Sequence, residues 1–202
     1  MRLLATTALS VFILVCSGAE NVTAAESIAT EKEALSGENL WAIDQAGSSI
    51  TFTATQAGAK FKGRFNRFDL QVRLNPEDLS NAEVRALIDI SSVDANDHNR
   101  NETIPGKIWF DTNNFPTAAF HSTDVRHTEA DSYEAHGTLT IKGVSQPHIL
   151  PFNLYIDGND ARAVARTKLD RTDFNIGSGE YATEEWVGFD VSVKVNVAAT
   201  RD

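Results

Sequence analysis

Apolar and polar residues alternate along most of the chain beyond residue 40, which is typical of strands that bury one face. The final segment is the clearest case: every odd position from Val187 to Val197 is apolar, whereas the even positions carry Gly, Asp, Ser, Lys and Asn. Shorter alternating segments cover 84–90, 133–141 and 148–156. Together with the remaining segments, the pattern predicts about eight strands.

Two features interrupt this pattern. Apolar residues occupy odd positions over Phe61–Phe65 but even positions over Phe68–Leu74, which predicts a bulge or turn near Asn66, because a one-residue slip would otherwise reverse the faces. The stretch without alternation predicts a short helical insertion near 96–108, interrupted at Pro105–Gly106.

Single residues within the alternating segments predict irregular places in the strands. Pro151 lies on the polar parity of its segment and predicts an edge or a bulge, because proline lacks the N–H that a ladder needs. Gly63 and Gly137 lie on apolar parities and predict close backbone approaches that tolerate large side chains poorly.

Antiparallel strands with one apolar face must close into a barrel or stack as a sandwich. Alternation alone leaves both open. One segment favours the barrel, because its uncharged parity contains the small residues Ala161, Ala163 and Ala165, while Arg162 and Arg166 lie on the other parity. Small inward residues leave space, and an eight-stranded barrel is just wide enough for one slender ligand. The predicted fold is therefore an all-β antiparallel barrel.

The first residues have the features of an export signal. Arg2 precedes an apolar run from Leu3 to Val15, and small residues follow it. The run of about thirteen residues is too short for a bilayer span of about twenty. We expect a signal peptide over 1–25, a polar linker over 26–40 and one domain over 41–202. The expected location is periplasmic or secreted, without a stable membrane span in the mature chain.

Cys16, the only cysteine, lies in the signal segment, so the mature domain is expected to contain no disulfide. Lipidation of Cys16 is the alternative, but the preceding Val15 is bulkier than a lipidation signal requires. The net charge is −10, and removing residues 1–25 leaves it unchanged because Arg2 and Glu20 are lost together. An acidic chain without a basic cluster argues against a nucleic-acid partner.

The sequence offers little chemistry for catalysis or for metal binding. There is no Gly-x-Ser-x-Gly segment, and the histidines His121, His127, His136 and His148 lack the spacing of metal ligands. Asp170 and Asp173 flank Arg171 in a stretch that predicts a turn, where a local ion pair is the simpler interpretation. We therefore predict no catalytic residue, no metal and no cofactor.

Short segments in a characteristic order extend over residues 41–199. They include Trp41–Asp44, Gly63–Phe68, Ile88–Asp94, Trp109–Asp111, Phe120–Thr123, Gly137–Val144 and Arg171–Gly177. Their order and spacing resemble the YceI-like family, exported lipocalin-like proteins regarded as polyisoprenoid binders. The chain departs from the family at Arg100–Ile104, where an acid and a histidine are missing, and at Gln56–Ala59, where a histidine is missing.

Pattern and resemblance together predict an exported protein that holds a long apolar lipid for transport, storage or sequestration. The lipid would be a polyisoprenoid, an isoprenoid quinone or a fatty-acid-like chain. The expected ligand contacts are inward apolar side chains and two arginines near the mouth: Phe52, Phe61, Phe65, Phe68, Phe120, Leu139, Ile141, Phe152, Phe174, Trp186, Arg100 and Arg171.

Several alternatives remain open at this level. Each of the aromatic residues is equally compatible with plain core packing, and Arg171 is equally compatible with an ion pair to Asp170 or Asp173. A hydrolase or isomerase acting on a lipid-like substrate is the main functional alternative, and a ligand-free interaction protein with a filled core is another. A homodimer is compatible with the sequence.

Overall fold

The computed structural model describes residues 34–201, and it consists almost entirely of strands. The predicted signal peptide and residues 26–33 of the predicted linker lie outside the described residues. The elements of the described part are β1 (Leu40–Gln56), β2 (Ala59–Phe65), β3 (Phe68–Asn75), β4 (Asp78–Asp89), β5 (Val93–Asp94), α1 (His98–Thr103), β6 (Thr117–Glu129), β7 (Ser132–Ile141), β8 (Val144–Asp157), β9 (Asp160–Asp170) and β10 (Asp190–Thr200). Short 3₁₀ turns occupy Ile90–Ser92, Arg171–Phe174 and Gly179–Tyr181.

The strands form one antiparallel sheet that closes on itself. The order is β10, β9, β8, β7, β6, β4, β3, β1, and β1 pairs again with β10. Strands β2 and β3 both pair with β1, β3 at residues 40–41 and β2 at residues 50–56. The two-residue strand β5 pairs with β2. Closure removes the exposed edges that an open sheet would present. The predicted eight-stranded all-β barrel is confirmed.

The predicted change of phase lies between β2 and β3. Both strands pair with β1, but Asn66 and Arg67 lie outside the ladder. The buried Ser92 accepts hydrogen bonds from their backbone N–H groups instead. The Asn66 backbone N–H donates to the Ser92 carbonyl at 3.1 Å, and the Arg67 N–H donates to the Ser92 Oγ at 2.9 Å. The break therefore lets both apolar parities face inward.

The predicted helical insertion is also present. Helix α1 begins after Asp97, whose carboxylate accepts a hydrogen bond from the Arg100 N–H at 3.0 Å. It ends at Thr103, shortly before Pro105, and turns then lead to β6. Because β4 ends and β6 begins at this point, the insertion lies at one end of the barrel.

Two clusters of buried apolar residues make up the core. The first follows the barrel wall and includes Trp41, Leu74, Phe120, Ala135 and Ala161. The second, which we call the capping cluster, consists of Ile90, Ala118, Ile141, Phe174 and Ile176. Since β4, β7 and β9 end near these residues and β6 begins there, the cluster closes one end of the barrel, and we call this end the capped end.

Candidate functional site

The barrel interior contains a cavity of about 160 Å³. Apolar cavities of about 150 Å³ stay dry and bind small apolar molecules. The lining residues come from all eight strands of the closed barrel, and they are Trp41, Ile43, Ile50, Leu70, Val72, Leu74, Val84, Arg85, Ala86, Ile88, Phe120, Ala135, Leu139, His148, Leu150, Phe152, Leu154, Ala161, Ala163, Ala165, Thr167, Leu169, Val193, Val195, Val197 and Ala199. Among these lining residues, three carry polar side chains, Arg85, His148 and Thr167.

Strand β9 provides the space. Every odd residue from Ala161 to Leu169 lines the cavity, and three of these five are alanines. Across the sheet, Ala163 pairs with Leu154 of β8 and with Val197 of β10. Alanine stops at Cβ, so the strand leaves free volume where leucine or phenylalanine would fill the interior. The sequence prediction of small inward residues on this strand is confirmed.

Larger residues close the barrel around this space. The indole of Trp41 is buried, and its Nε1–H donates to the Leu74 carbonyl at 2.9 Å. The ring of Phe152 stacks on Tyr133, with centroids 5.4 Å apart. Because the Trp41 N–H is bonded to the backbone, it does not present an unsatisfied polar group to the cavity.

A histidine and a threonine among the lining residues bind each other. The His148 Nε2 lies 3.0 Å from the Thr167 Oγ1. The imidazole also meets the Phe120 ring edge to face, with centroids 6.4 Å apart. Burial lowers the pKa of His148 below its ordinary value. Since His is already largely neutral at pH 7, this pair is uncharged, and the surface of the cavity remains almost wholly apolar.

Sequence reasoning did not include His148 or Thr167 among the ligand contacts. The parity of the strands contained the necessary information, because His148 begins the apolar alternation through Leu150 and Phe152, and Thr167 follows the three alanines. A polar residue at an inward position of an otherwise apolar face marks a site where a hydrogen bond is made inside.

Arg85, the third polar lining residue, is bound by a carboxylate. Its guanidinium contacts Glu83 at 2.6 Å, and Glu83 also contacts Arg73 at 2.6 Å and His121 at 2.9 Å. Burial acts to raise the pKa of Glu83, but the hydrogen bonds and charges of Arg85 and His121 outweigh it and lower that pKa. Arg85 is therefore part of a charge network in the wall.

The barrel wall has one seam near the cavity. In the described part of the chain, β8 and β9 pair only between Phe152–Ala165 and Asp157–Asp160. Toward the capped end, residues 144–151 of β8 pair with β7 but not with β9, while residues 166–170 of β9 still pair with β10. Pro147 and Pro151 lie in this half of β8, in agreement with the edge or bulge predicted at Pro151. The bond between His148 and Thr167 crosses this seam.

Three of the predicted ligand contacts, Phe120, Leu139 and Phe152, line the cavity. A separate aromatic cluster consists of Phe52, Phe61 and Phe65. The ring centroid of Phe52 lies 6.2 Å from that of Phe61 and 5.6 Å from that of Phe65. Arg100 stacks over the ring of Phe61 at 4.5 Å. The structure thus brings Arg100 together with three of the aromatic residues, but outside the cavity lining.

The other predicted apolar contacts lie elsewhere. Ile141 and Phe174 belong to the capping cluster, and Phe65 packs against that cluster. Phe68 pairs with Ile88 across β3 and β4 but does not line the cavity. Trp186 is 53% exposed in the loop before β10, and its carbonyl accepts a hydrogen bond from the Ala57 N–H at 2.8 Å.

The structure corrects the predicted mouth position of Arg171. This residue is 3% exposed, so its guanidinium does not reach the solvent-facing mouth. It donates at 2.5–3.3 Å to the backbone carbonyls of Ile176, Gly177, Tyr181, Thr183, Val187 and Gly188. Among the described residues, Arg171 forms no ion pair with Asp170 or Asp173, and Asp170 instead accepts hydrogen bonds from Thr172. Arg171 therefore holds the loop between β9 and β10 in place.

Over residues 34–201, no group of His, Cys, Asp and Glu has the arrangement of a metal site. No helix in this range is both long enough and apolar enough to cross a membrane.

The chain is similar to known proteins over the whole barrel. Residues 41–199 match the family model described as the YceI-like domain. A UPF0312 protein of Vibrio parahaemolyticus is 30% identical over 157 residues, which cover 72% of this chain and 83% of the relative. A UPF0312 protein of Yersinia pestis is 33% identical over 120 residues, 56% of this chain and 62% of the relative.

Solved structures show the same fold. BcnA of Burkholderia cenocepacia superimposes with a TM-score of 0.76 and 28% identity, covering 78% of this chain and 99% of BcnA. A polyisoprenoid-binding domain of Saccharophagus degradans has a TM-score of 0.63 at 13% identity, covering 81% of this chain and 99% of that domain. With the family model, the relatives and the closed eight-stranded barrel in agreement, the chain belongs to the YceI-like family.

Proposed function

We propose that this protein binds a long apolar lipid chain inside its barrel and carries, stores or sequesters that lipid. The observation that carries the proposal is the cavity, whose lining is apolar except for Arg85, His148 and Thr167 and extends along the whole inner face of β9. A packed core of this size would ordinarily be filled with side chains, because protein interiors tolerate few large voids.

The apolar lining is sufficient to explain binding without any charged contact. Each methylene removed from water contributes about 0.8 kcal/mol, so ten buried methylenes contribute about 8 kcal/mol before ordering costs. This gross value corresponds to a Kd in the micromolar range. The family supports the proposal, since the Saccharophagus degradans neighbour is described as a polyisoprenoid-binding domain.

Catalysis is the alternative that requires an argument from geometry. A hydroxyl 3.0 Å from an imidazole nitrogen, as at Thr167 and His148, is the first half of a nucleophile–base pair. A hydrolase also needs a group that orients the other ring nitrogen, and among the described residues the only hydrogen bond of the His148 imidazole is the one to Thr167. This arrangement favours binding over turnover.

The proposed place of action lies outside the cytoplasm, on the basis of the N-terminal sequence. We expect the mature chain to begin between Glu20 and Glu26. The intact mass of protein from the exported fraction measures this start directly. A mature chain that begins with a lipid-modified Cys16 would contradict the expected cleavage.

Solvent extraction of natively purified protein tests the lipid proposal. Mass spectrometry of the extract is expected to find an apolar lipid in stoichiometric amount with the folded protein. Ala163→Phe, which fills the cavity, is expected to lose that lipid, whereas Val164→Phe, on the other face of the same strand, is expected to retain it. Equal amounts of lipid in both variants would contradict binding inside the barrel.

A further inference from the structure

The outer sides of β8, β9 and β10 carry cations but no acidic side chain over most of their length. Because alternate residues of these strands line the cavity, the residues between them face outward. Every second residue of 145–155, 162–168 and 192–198 is outward, and none of these is Asp or Glu, although the chain has 28 acidic residues. Four exposed cations lie among them, and we call these the basic face: Arg162, Arg166, Lys168 and Lys194.

Strand pairing brings these cations together, although they are spread out in the sequence. Arg166 on β9 pairs directly with Lys194 on β10, and like charges directly opposite each other destabilise a sheet. Within the described part of the chain, Lys168 binds Asp190 at 2.6 Å, but Arg162, Arg166 and Lys194 form no ion pair. The remaining arginines there contact a carboxylate, a carbonyl or an aromatic ring. The basic face therefore leaves three cations for an external anion.

An exposed apolar stripe borders these cations on β8. Its outward positions carry Pro147, Ile149, Pro151 and Tyr155, and all four are exposed. Ile149 is 50% and Tyr155 is 53% exposed, and Tyr155 pairs with Arg162 across β8 and β9. Single exposed apolar residues are normal on a protein surface. Four of them on one side of one strand, beside cations, make the surface amphipathic.

The seam between β8 and β9 lies between the apolar stripe and the cations. From Arg166 onward, β9 pairs with β10 but no longer with β8, so residues 147–151 lie across the seam from it without backbone pairing. On the inner side of this stretch, Leu150 and Leu169 line the cavity. This amphipathic surface therefore covers the part of the wall where backbone pairing is missing and the cavity lies behind it.

Cations beside exposed apolar side chains match the surface of an anionic lipid bilayer. Lysine and arginine attract anionic headgroups, while apolar and tyrosine side chains enter the boundary between headgroups and acyl chains. A nucleic acid would use the cations but leave the apolar stripe in water. A second copy of the chain in two-fold contact would add the same cations to the interface without an acid to meet them.

The net charge of −10 does not prevent this approach. At physiological ionic strength, exposed charges are largely screened beyond about 8 Å. The acidic residues on the far side of the barrel are therefore shielded from a bilayer that the basic face touches.

We propose that the basic face and the apolar stripe dock this protein onto an anionic phospholipid membrane, with the seam turned toward the bilayer. The apolar stripe enters the headgroup boundary, and Arg162, Arg166 and Lys194 meet lipid phosphates. The inference goes beyond the proposed function, because docking uses the outer surface and requires no occupant in the barrel.

Co-sedimentation with vesicles tests the docking. Vesicles of phosphatidylcholine containing about 30% phosphatidylglycerol are compared with vesicles of phosphatidylcholine alone, both at about 0.15 M salt. The wild-type protein is expected to partition at least about tenfold more strongly onto the anionic vesicles, because each cation near such a surface contributes about fivefold.

Two double variants locate the charge contribution. Arg166→Gln with Lys194→Gln is expected to weaken partition onto anionic vesicles at least about tenfold. Arg126→Gln with Lys107→Gln is the control, because both residues are exposed, lie outside the basic face and remove the same two charges. Ile149→Gln tests the apolar stripe and is expected to weaken partition about threefold. All variants are compared at equal folded fraction.

Tryptophan fluorescence locates the contact on the surface. Ile149→Trp places an indole in the apolar stripe, and Ile108→Trp places one at another exposed isoleucine, outside the three strands. On anionic vesicles that contain brominated lipid, quenching is expected to be stronger in Ile149→Trp. The native tryptophans give both variants the same background.

The outcomes separate docking from other uses of this surface. No partition onto anionic vesicles, equal partition of the two double variants, or equal quenching of the two tryptophan variants overturns the proposal. Binding to single-stranded DNA without binding to vesicles assigns the surface to a nucleic acid, and a solution dimer that Ile149→Gln dissociates assigns it to a second copy; either result also overturns membrane docking. The lipid content of the purified protein is measured separately, so the proposed function stands or fails independently.

Discussion

The capped end of the barrel and the cavity beside it are built from the same alternating strands but reach opposite results. At the capped end, Ile90, Ile141 and Phe174 are buried and pack in one apolar cluster. In the cavity, β9 presents alanines at consecutive inward positions, and free volume remains. The comparison teaches that inward residue size, rather than strand pattern, determines where this barrel is solid and where it is hollow.

The two regions also hold their polar groups differently. At the capped end, the Arg171 guanidinium has six carbonyl acceptors and is nearly inaccessible. Beside the cavity, the described residues give the His148 and Thr167 side chains one hydrogen bond, which joins them to each other. The first arrangement ties a loop to the barrel, whereas the second joins two strands where their backbone pairing has ended.

The largest effect is expected at the capped end. Arg171→Met removes the donors for several buried carbonyls, each of which costs ~1–3 kcal/mol when left unsatisfied, so unfolding free energy should fall by at least about 3 kcal/mol. Arg100→Met is the control, because the Arg100 side chain is partly exposed and a smaller loss is expected. Urea denaturation measures both, and equal losses would refute the structural role of Arg171.

A smaller loss is expected where the wall itself leaves no room. A side chain at Gly137 would collide with the backbone of His121 and Ser122 on β6, and backbone cannot move aside cheaply. Gly137→Val should cost about 3 kcal/mol, which lowers the melting temperature by about 6–12 °C. At Gly63 the main obstacle is the Phe52 ring, which can rotate, so Gly63→Val should cost less. A larger loss at Gly63 would reverse this ranking.

Filling the hollow region should affect binding rather than folding. Ala163→Phe places a ring in the cavity, and we expect lipid affinity to fall at least about tenfold, ~1.4 kcal/mol, with a change in melting temperature of only a few degrees. Val164→Phe, on the other parity of β9, should leave affinity unchanged. A large loss of stability in Ala163→Phe would mean that the space is not available in solution.

The smallest expected effect concerns acidification. The folded-state pKa of His148 is lowered by burial, so the folded protein holds this proton less tightly than the unfolded chain. Its contribution to stability is therefore complete above the unfolded value of about 6.5 and is lost as pH falls through the lower folded value. The residues beside it, Gly137 on β7 and Thr167 on β9, do not titrate.

His148→Gln isolates this contribution, because carboxylates with lowered pKa, such as Glu83, are present in both proteins and their losses cancel. Between about pH 7 and pH 5, the wild type should lose more unfolding free energy than the variant. If unfolding free energy falls equally with pH in the two proteins, burial does not lower the pKa of His148 enough to affect stability.

The sequence predicts the fold far better than it predicts the site. Alternation, the phase slip at Asn66 and the alanines of β9 each reflect local burial. They therefore predict the barrel, the break between β2 and β3, and the face of β9 that leaves the cavity open. Which aromatic residues line the cavity depends on strand pairing over long distances, and Phe52 and Phe174 have the same local pattern as Phe120 and Phe152. Arg171 was misplaced because its carbonyl acceptors come from a loop that carries no periodic pattern.

Dependence of affinity on tail length tests the central claim most directly. Geraniol, farnesol and geranylgeraniol share one head group and differ by one isoprene unit at each step. If the chain lies in the alanine-lined cavity, affinity should rise by at least about tenfold per unit, ~1.4 kcal/mol, because added apolar groups leave water. Affinity that does not change with tail length, or that collapses in high salt with the tail unchanged, would contradict binding in the barrel interior.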